Sequence, residues 1–289
     1  MSKRILIVGG TGMLGHPVSF EFIKNGFEVS ILSTHPEKAK NMFGDKVKVF
    51  EGDVTDPESL KPALENQEAV YINLNSELDK TKYEQIEIGG TGNVAQAAKE
   101  AGVKRIGNIS GASSSGEETG VIFRDAKVQA ERKLIESGVP FTIFRPSWFY
   151  ESLPKFIQMG RAVILGDQPK KFGWLSAHDY AKQVVKAYQI EAAANKCFYN
   201  LGPAKLTMEE ALAVFCEYHY PDLEVEHVRF FQAKMIAQMP GLEKLKLAIP
   251  FFEYFETNNE TADPTEANEL LGANLTTVEM WAKEYQKTE

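Results

Sequence analysis

The stretch RILIVGGTGMLG, residues 4–15, decides how the rest of the chain is read. A short β-branched apolar run, Arg4 to Val8, closes on glycines, as suits a strand buried in a parallel sheet. Leu14, Val18 and Phe22 then recur at helical spacing, and Asn25-Gly26 ends that helix. Between strand and helix, Gly9, Gly12 and Gly15 form a G-x-x-G-x-x-G array. Glycine lets such a turn be tight, keeps side chains away from an approaching pyrophosphate, and lets helix pack closely on strand. The helix N-terminus then offers free N–H groups and the positive end of its dipole to the anion. A glycine pattern alone says little; one between a first strand and a first helix is specific.

Outward from this turn, strand and helix signals alternate. EVSILS (28–33), KVKVFEG (46–52), EAVYINL (68–74), VKRIGNIS (103–110) and PFTIFRP (140–146) read as strands. Asp56-Pro57 opens one helix, with Asp as N-cap and Pro in the first helical position. NVAQAAKEAG (93–102) is helical, with a kink expected at Gly89-Gly90, and a further helix carries Phe123 and Lys127 and ends at Ser137-Gly138. This order predicts an α/β fold built on a doubly wound parallel sheet.

After Pro146 the texture changes. Aromatics crowd in at Trp148, Phe149 and Tyr150, and the alternation stops. One more helix (178–189) and one more strand (196–202) return to the sheet, and Thr207 with Glu210 forms a capping box for a helix over 207–219. The expected organisation is a dinucleotide-binding domain over 1–150 and 174–203. A smaller C-terminal α/β lobe takes 151–173 and 204–289.

Composition removes several classes of function. Of 289 residues, 43% are hydrophobic and 25% charged, as in a soluble globular protein. No apolar run approaches about 18 residues, so no membrane span is expected. The N-terminus passes directly into the first strand without a secretory segment, and a cytoplasmic location follows. The two cysteines, Cys197 and Cys216, form no CxxC pair, which argues against a disulfide, zinc or other metal site. The net charge is -8, and the nearest thing to a basic cluster is Lys170-Lys171, a poor footprint for nucleic acid. A protein partner stays open, and the oligomeric state is unspecified.

The end of the second strand selects between nicotinamide cofactors, an acid favouring NAD and a basic residue NADP. Here it reads Ser33-Thr34-His35-Pro36-Glu37-Lys38, with neither an acid nor an arginine at the strand end. The hydroxyls, His35 and Lys38 together suit a 2′-phosphate, so NADP is preferred over NAD.

Taken together, these features resemble the atypical short-chain dehydrogenase/reductase superfamily, in its NmrA-like and isoflavone-reductase-like group. GGTGMLG (9–15) is similar to its cofactor loop and GDVTDPESL (52–60) to its segment after the third strand. KVQAERKLIESGVPFTIFRPSWF (127–149) is similar to its catalytic helix and sixth strand, HDYA (178–181) to its late helix, and NELLGANLTTVEMW (268–281) to its closing helix. The resemblance implies a Rossmann sheet with a C-terminal substrate lobe and a nicotinamide lying across the strand ends. It implies that Gly9, Thr11, Gly12, Met13, Leu14 and Gly15 form the pyrophosphate loop, Thr34 and His35 meet the adenosine ribose, and Asp53 and Val54 the adenine. Asn73, Leu74 and Asn75 would flank the cofactor, Lys127 would bond the nicotinamide ribose, and Pro146, Ser147 and Trp148 would lie near the nicotinamide. Ser110 falls where related enzymes carry a polar group beside the reacting carbon.

One position departs from the pattern. Enzymes of this kind with a Tyr-x-x-x-Lys pair use the lysine to hold the ribose and to lower the tyrosine pKa for proton exchange. Here the pair reads Phe123 and Lys127, four apart on one helix face, and the phenyl ring has no proton to give. Three readings follow. The first is an NADPH-dependent reductase of a small organic substrate, with Lys127 doing the proton work. The second is a non-catalytic redox-sensing regulator acting through a protein partner, and the third an assembly factor. A pocket against the nicotinamide would draw on Phe230, Phe231, Met235, Phe251, Phe252, Tyr254 and Phe255, whereas exposure of these side chains would favour a protein partner. Tyr150 reads as packing, Ser113 to Ser115 as a polar loop, and Asp179 beside His178 as a helix N-terminal residue.

Overall fold

The computed structural model describes residues 4–286. The chain alternates from its start: β1 (Arg4–Val8), α1 (Gly15–Lys24), β2 (Glu28–Ser33), α2 (Pro36–Phe43), β3 (Val47–Glu51), α3 (Pro57–Leu64) and β4 (Ala69–Ile72). A single turn, α4 (Lys80–Lys82), runs through a π-helical stretch, Tyr83–Gly90, into α5 (Thr91–Glu100). Then come β5 (Arg105–Ile109), α6 (Ile122–Glu136) and β6 (Phe141–Pro146). After these follow β7 (Ile157–Gln158), β8 (Arg161–Leu165), α7 (Ala177–Gln189), β9 (Lys196–Asn200), α8 (Met208–His219) and β10 (Val225–Val228). The chain ends in α9 (Phe230–Ile236), α10 (Glu243–Thr257), α11 (Thr265–Leu271) and α12 (Val278–Glu284).

Seven strands pair in parallel in the order β3-β2-β1-β4-β5-β6-β9, the doubly wound Rossmann arrangement expected from the alternation. The period of two along β1 divides its side chains between two cores. Ile5 and Ile7 join Val18, Phe22, Tyr180 and Val184 on the face covered by α1 and α7, while Leu6 and Val8 join Leu60, Val94 and Leu134 on the other. Burial of each such aliphatic side chain is worth about 1.5–3 kcal/mol, which fixes the strand's register. The strand order reverses between β1 and β4, where the crevice beyond the carboxyl ends of a doubly wound sheet receives ligands.

Local signals resolve as the residues dictate. Asp56 caps α3 by accepting from Glu58 N, and Thr207 with Glu210 forms the capping box of α8. The expected kink at Gly89-Gly90 is not a kink; the helix passes through both glycines with widened turns. A Cβ at Gly90 would lie 2.6 Å from Val54 Cγ2, so the glycine serves a close helix–strand approach. Asp179 lies in the first turn of α7, but the N-cap is Ser176. Its carboxylate accepts instead from Leu275 and Thr276 N at 3.0 and 2.8 Å, tying down the segment before α12.

A second sheet, absent from the sequence reading, has the order β10-β8-β7. It packs with Leu212, Phe215, Trp174 and Trp281 into a separate aromatic core, in which Tyr150 is fully buried and stacks on Trp174. Ala267 and Leu271 of α11 belong to the larger core beside α7. Both cysteines are free. Among the described residues, no helix is long and apolar enough to cross a membrane.

Candidate functional site

The ends of β1, β4, β5 and β6 open onto one cleft of about 1090 Å³. Gly12, Met13 and Leu14, then Asn73, Leu74 and Asn75, Ser110, Lys127, and Pro146, Ser147 and Trp148 all line it. Eleven expected side chains from five separate segments thus converge there.

The glycine turn divides its labour. Gly9 has φ +78°, and a Cβ there would lie 2.1 Å from Asn73 O. A Cβ at Gly15 would lie 2.1 Å from Gly9 O. These two glycines let turn, strand and helix close on one another and stand behind the cleft wall. A Cβ at Gly12 would meet only Gly9 O, at 3.5 Å, so this glycine keeps the wall itself low. No side chain caps α1, and no acid lies in its first turn. Such an end is suited to an anion.

Thr11, Thr34, His35, Asp53 and Val54 lie beyond the cleft wall, at and after the ends of β1, β2 and β3. Thr34 Oγ1 and His35 Nδ1 are 2.9 Å apart. Asp53 Oδ1 accepts from Thr55 N and Oγ1, both at 2.8 Å. Val54 is a buried core side chain, and its carbonyl accepts from Asn93 Nδ2 at 2.8 Å. Its side chain is therefore committed to packing.

Lys127, on α6, points its ammonium at Glu87 Oε1, 2.8 Å away, and reaches Ile109 O at 3.4 Å. Glu87 comes from the π-helical stretch and is 1% exposed. The lysine is therefore one half of an ion pair in which the carboxylate is buried and the lysine side chain is 20% exposed. Glu87 was missed because nothing local marks it: its partner lies 40 residues away. Tyr83, on the same stretch, lines the cleft; burial first and Glu87 second push its hydroxyl pKa upward.

Phe123 is held in an aromatic cluster. Its ring centroid lies 4.7 Å from Phe251, 5.3 Å from Tyr254 and 5.8 Å from Phe255 on α10. Trp148 faces Phe251 and Phe255 at 5.6 and 5.1 Å. The C-terminal aromatics therefore split: these three line the cleft, Phe252 and Phe230 pack in smaller cores, and Phe231 and Met235 are exposed.

Next to Phe123, Arg124 clamps the serine-rich loop, donating to Ser113 O at 2.7 Å, Glu117 O at 2.6 Å and Ser115 O. Asp125 accepts from Thr119 and Gly120 N at 2.9 and 2.6 Å. Burial works against its charge, but those bonds and Arg124 prevail and hold its pKa below the usual carboxylate value.

Among the described residues, Ser110 Oγ, both side-chain atoms of Asn108 and Trp148 Nε1 are buried without a hydrogen-bond partner. Ser110 and Trp148 line the cleft. Orphaned polar atoms of this kind are costly unless a ligand or water completes them. With the low glycine wall and the uncapped helix, they fit a polar, phosphate-bearing cofactor with a flat ring at its far end. A further acid, Glu260 after α10, lines the same cleft and accepts from Ser147 Oγ and from Gly173 N, the latter at 2.8 Å. It was not anticipated either.

The sequence profile of the NmrA-like family matches residues 1–282. The chain belongs to this family. Among relatives, the photosystem II assembly factor Ycf39 of Trieres chinensis is 24% identical over 274 residues, covering 90% of this chain and 84% of that protein. Quinone oxidoreductase 2 of Escherichia coli is 26% identical over 216 residues, 72% of each. Among solved structures, the triphenylmethane reductase of Citrobacter sp. complexed with NADP(H) superposes with a TM-score of 0.78 at 19% identity, over 97% of this chain and 99% of that one. That likeness shows the Rossmann fold over nearly the whole of both chains.

Proposed function

We propose that this NmrA-like protein binds a nicotinamide dinucleotide in the cleft and reduces a small, flat, conjugated substrate such as a quinone. The observation that carries the reading is continuity. One cleft runs from the uncapped glycine turn, past Asn73 to Asn75, to the aromatic wall of Phe123, Trp148, Phe251, Tyr254 and Phe255. The proposed assignment keeps Gly9, Gly12 and Gly15 for the pyrophosphate turn and Thr34 and His35 for the adenosine ribose. NADP is the preferred form, its 2′-phosphate meeting His35 and Lys38. Reduced nicotinamide, when bound, supplies a hydride to the substrate. Lys127, held by Glu87, orients the nicotinamide ribose, and Ser110 offers an unpaired hydroxyl beside the reacting centre. The quinone oxidoreductase among the relatives and the NADP(H)-bound reductase among the solved structures support this direction. The division into a Rossmann domain (1–150, 174–203) and a substrate lobe (151–173, 204–289) is kept, with α11 assigned to the Rossmann side.

A second reading has its own observation. On α9, Phe231 and Met235 are one helical turn apart and 63% and 66% exposed, and Met239, in the turn just after the helix, is 61% exposed, an apolar patch of the kind that meets a protein partner. The Ycf39 relative, a photosystem II assembly factor, makes the same direction worth testing.

Calorimetric titration with oxidised and reduced NAD and NADP, followed by a screen of quinones, azo dyes and enones, separates the two. Tight NADPH binding with turnover establishes the reductase. Binding that distinguishes oxidised from reduced nucleotide without turnover favours the regulator. No binding of any of the four defeats the dinucleotide assignment.

A further inference from the structure

The cleft needs a proton source, and three of the positions that could supply one are taken or have no proton to give. Phe123 has no acidic hydrogen, the Lys127 ammonium is paired with Glu87, and the Tyr150 hydroxyl points to Thr276 O at 3.4 Å in the lobe core. We propose that Ser147 and Glu260 form the proton-delivery pair of this site, with the serine hydroxyl meeting the substrate and the glutamate positioning and reloading it. The inference rests on the reductase reading above.

The geometry is that of a built pair. Ser147 directly follows β6, its backbone N–H fixed on Asn200 O at 3.0 Å, and its hydroxyl bonds Glu260 Oε1. The second carboxyl oxygen accepts from Gly173 N at 2.8 Å, and Lys205 Nζ reaches the Glu260 carbonyl at 3.2 Å. Both side chains line the cleft, Ser147 between Pro146 and Trp148 and Glu260 on the segment after α10. A hydroxyl–carboxyl contact conducts a proton either way, because the serine oxygen accepts as well as donates.

The surroundings favour the acid form. Burial raises the Glu260 carboxyl pKa, and the bonds from Ser147 and Gly173 with the Lys205 charge do not overcome it. Lys155 and Lys244 also line the cleft, while several charges on neighbouring elements are committed. Lys171 is paired with Glu210 at 2.8 Å, and Arg145 with Glu131 at 3.0 Å. Glu256 accepts from Asp167 N at 2.9 Å, and Asp263 from Thr265 N at 3.0 Å.

The step balances. A quinone that has received a hydride carries one negative charge on oxygen and needs one proton. The Ser147 O–H bond breaks as the substrate O–H bond forms. The Glu260 O–H proton moves to the Ser147 oxygen, and the resulting carboxylate takes up a proton from solvent. One hydride and one proton are consumed for each quinone.

The test compares wild type, Glu260→Gln, Ser147→Ala and Ser147→Thr with NADPH and menadione across a neutral pH range. NADPH affinity is measured separately by titration. In the wild type, kcat should fall as pH rises through the glutamate's ionisation. Glu260→Gln should lose that limb and about 100-fold in kcat while keeping NADPH affinity. Ser147→Ala should lose a similar factor, and Ser147→Thr should recover most of it. Infrared difference spectra of wild type against Glu260→Gln across the pH range should show the carboxyl band ionising above the usual carboxylate range, a readout independent of turnover. A Glu260 that ionises within the usual carboxylate range in those spectra, or an unchanged pH limb in Glu260→Gln, overturns the pair. So does a limb lost only in Tyr254→Phe. A wild type that binds NADPH but reduces no quinone overturns the reductase reading itself, a different result from turnover with an unchanged profile.

Discussion

Glu151 should make the protein less stable as pH rises through neutrality. This carboxyl sits in the turn after β6, just beyond the Trp148 wall of the cleft, and fastens two distant elements. Its oxygens accept from Ala177 N at the start of α7, both at 3.0 Å, and Oε1 also accepts from Trp281 Nε1 of α12 at 3.0 Å. Burial raises its pKa to about 7 from 4.5, with the hydrogen bonds opposing and the Asp179 charge adding to the rise. Between those values the folded state binds more protons than the unfolded chain. The stabilisation is therefore fully present below about pH 4.5 and is lost as pH rises through about 7. At about 1.4 kcal/mol for each tenfold change in proton affinity, the loss amounts to about 3 kcal/mol. Glu151→Gln removes the titration, and a glutamine carbonyl in the Oε1 position keeps one bond to each donor. Urea unfolding of both proteins at mildly acidic and mildly alkaline pH isolates this group from the other carboxylates. The variant should gain on the wild type by about 3 kcal/mol between the two conditions. A difference that does not vary with pH would refute the buried-acid argument.

The glycine turn yields a paired test: Gly9→Ala should cost at least about 1–2 kcal/mol, the penalty of a left-handed L-residue, and lower Tm together with nucleotide affinity. Gly12→Ala should leave the unfolding free energy within about 0.5 kcal/mol of wild type yet weaken NADPH binding in the titration, because its Cβ projects where only the ligand is crowded. Lys127→Ala leaves a buried carboxylate without its cation. It should lower stability by about 1–3 kcal/mol and weaken nucleotide binding, and unchanged titration and melting curves would sink the assignment of α6. Phe123→Tyr should leave NADPH affinity intact, since the Phe123 ring packs on Phe251, Tyr254 and Phe255; a loss in the same titration would place that ring against the nucleotide. Arg124→Ala should raise hydrogen exchange across residues 111–120, because the carbonyls of Ser113, Ser115 and Glu117 lose their donor.

What the sequence revealed and what it hid divide by range. The β1 run, the glycine turn, the Asp56 cap and the Thr207–Glu210 box are written in adjacent residues, and each forms as the local pattern predicts. The convergence of Gly12, Asn73, Ser110, Lys127 and Trp148 was legible through the family resemblance, and parallel topology gives its physical reason: the strands end at the same edge of the sheet, and Lys127 reaches that edge from α6. The widened helix over Tyr83–Gly90 was not legible, because Gly89-Gly90 reads as a break unless one knows that Val54 lies against it. The short sheet of β7, β8 and β10 was missed because strands of two to five residues are too brief to show a period of two. Glu87 and Glu260 were hidden most deeply. Each is an ordinary acid in a polar stretch, and its role exists only through partners 40 and 113 residues away in the chain. The residues on which the chemistry turns are thus of two kinds. Those at strand ends are announced by the fold. Those proposed to set the protonation of the cleft come from elements that topology does not specify, so the missing acid at Phe123 could be seen in the sequence while its proposed replacement could not.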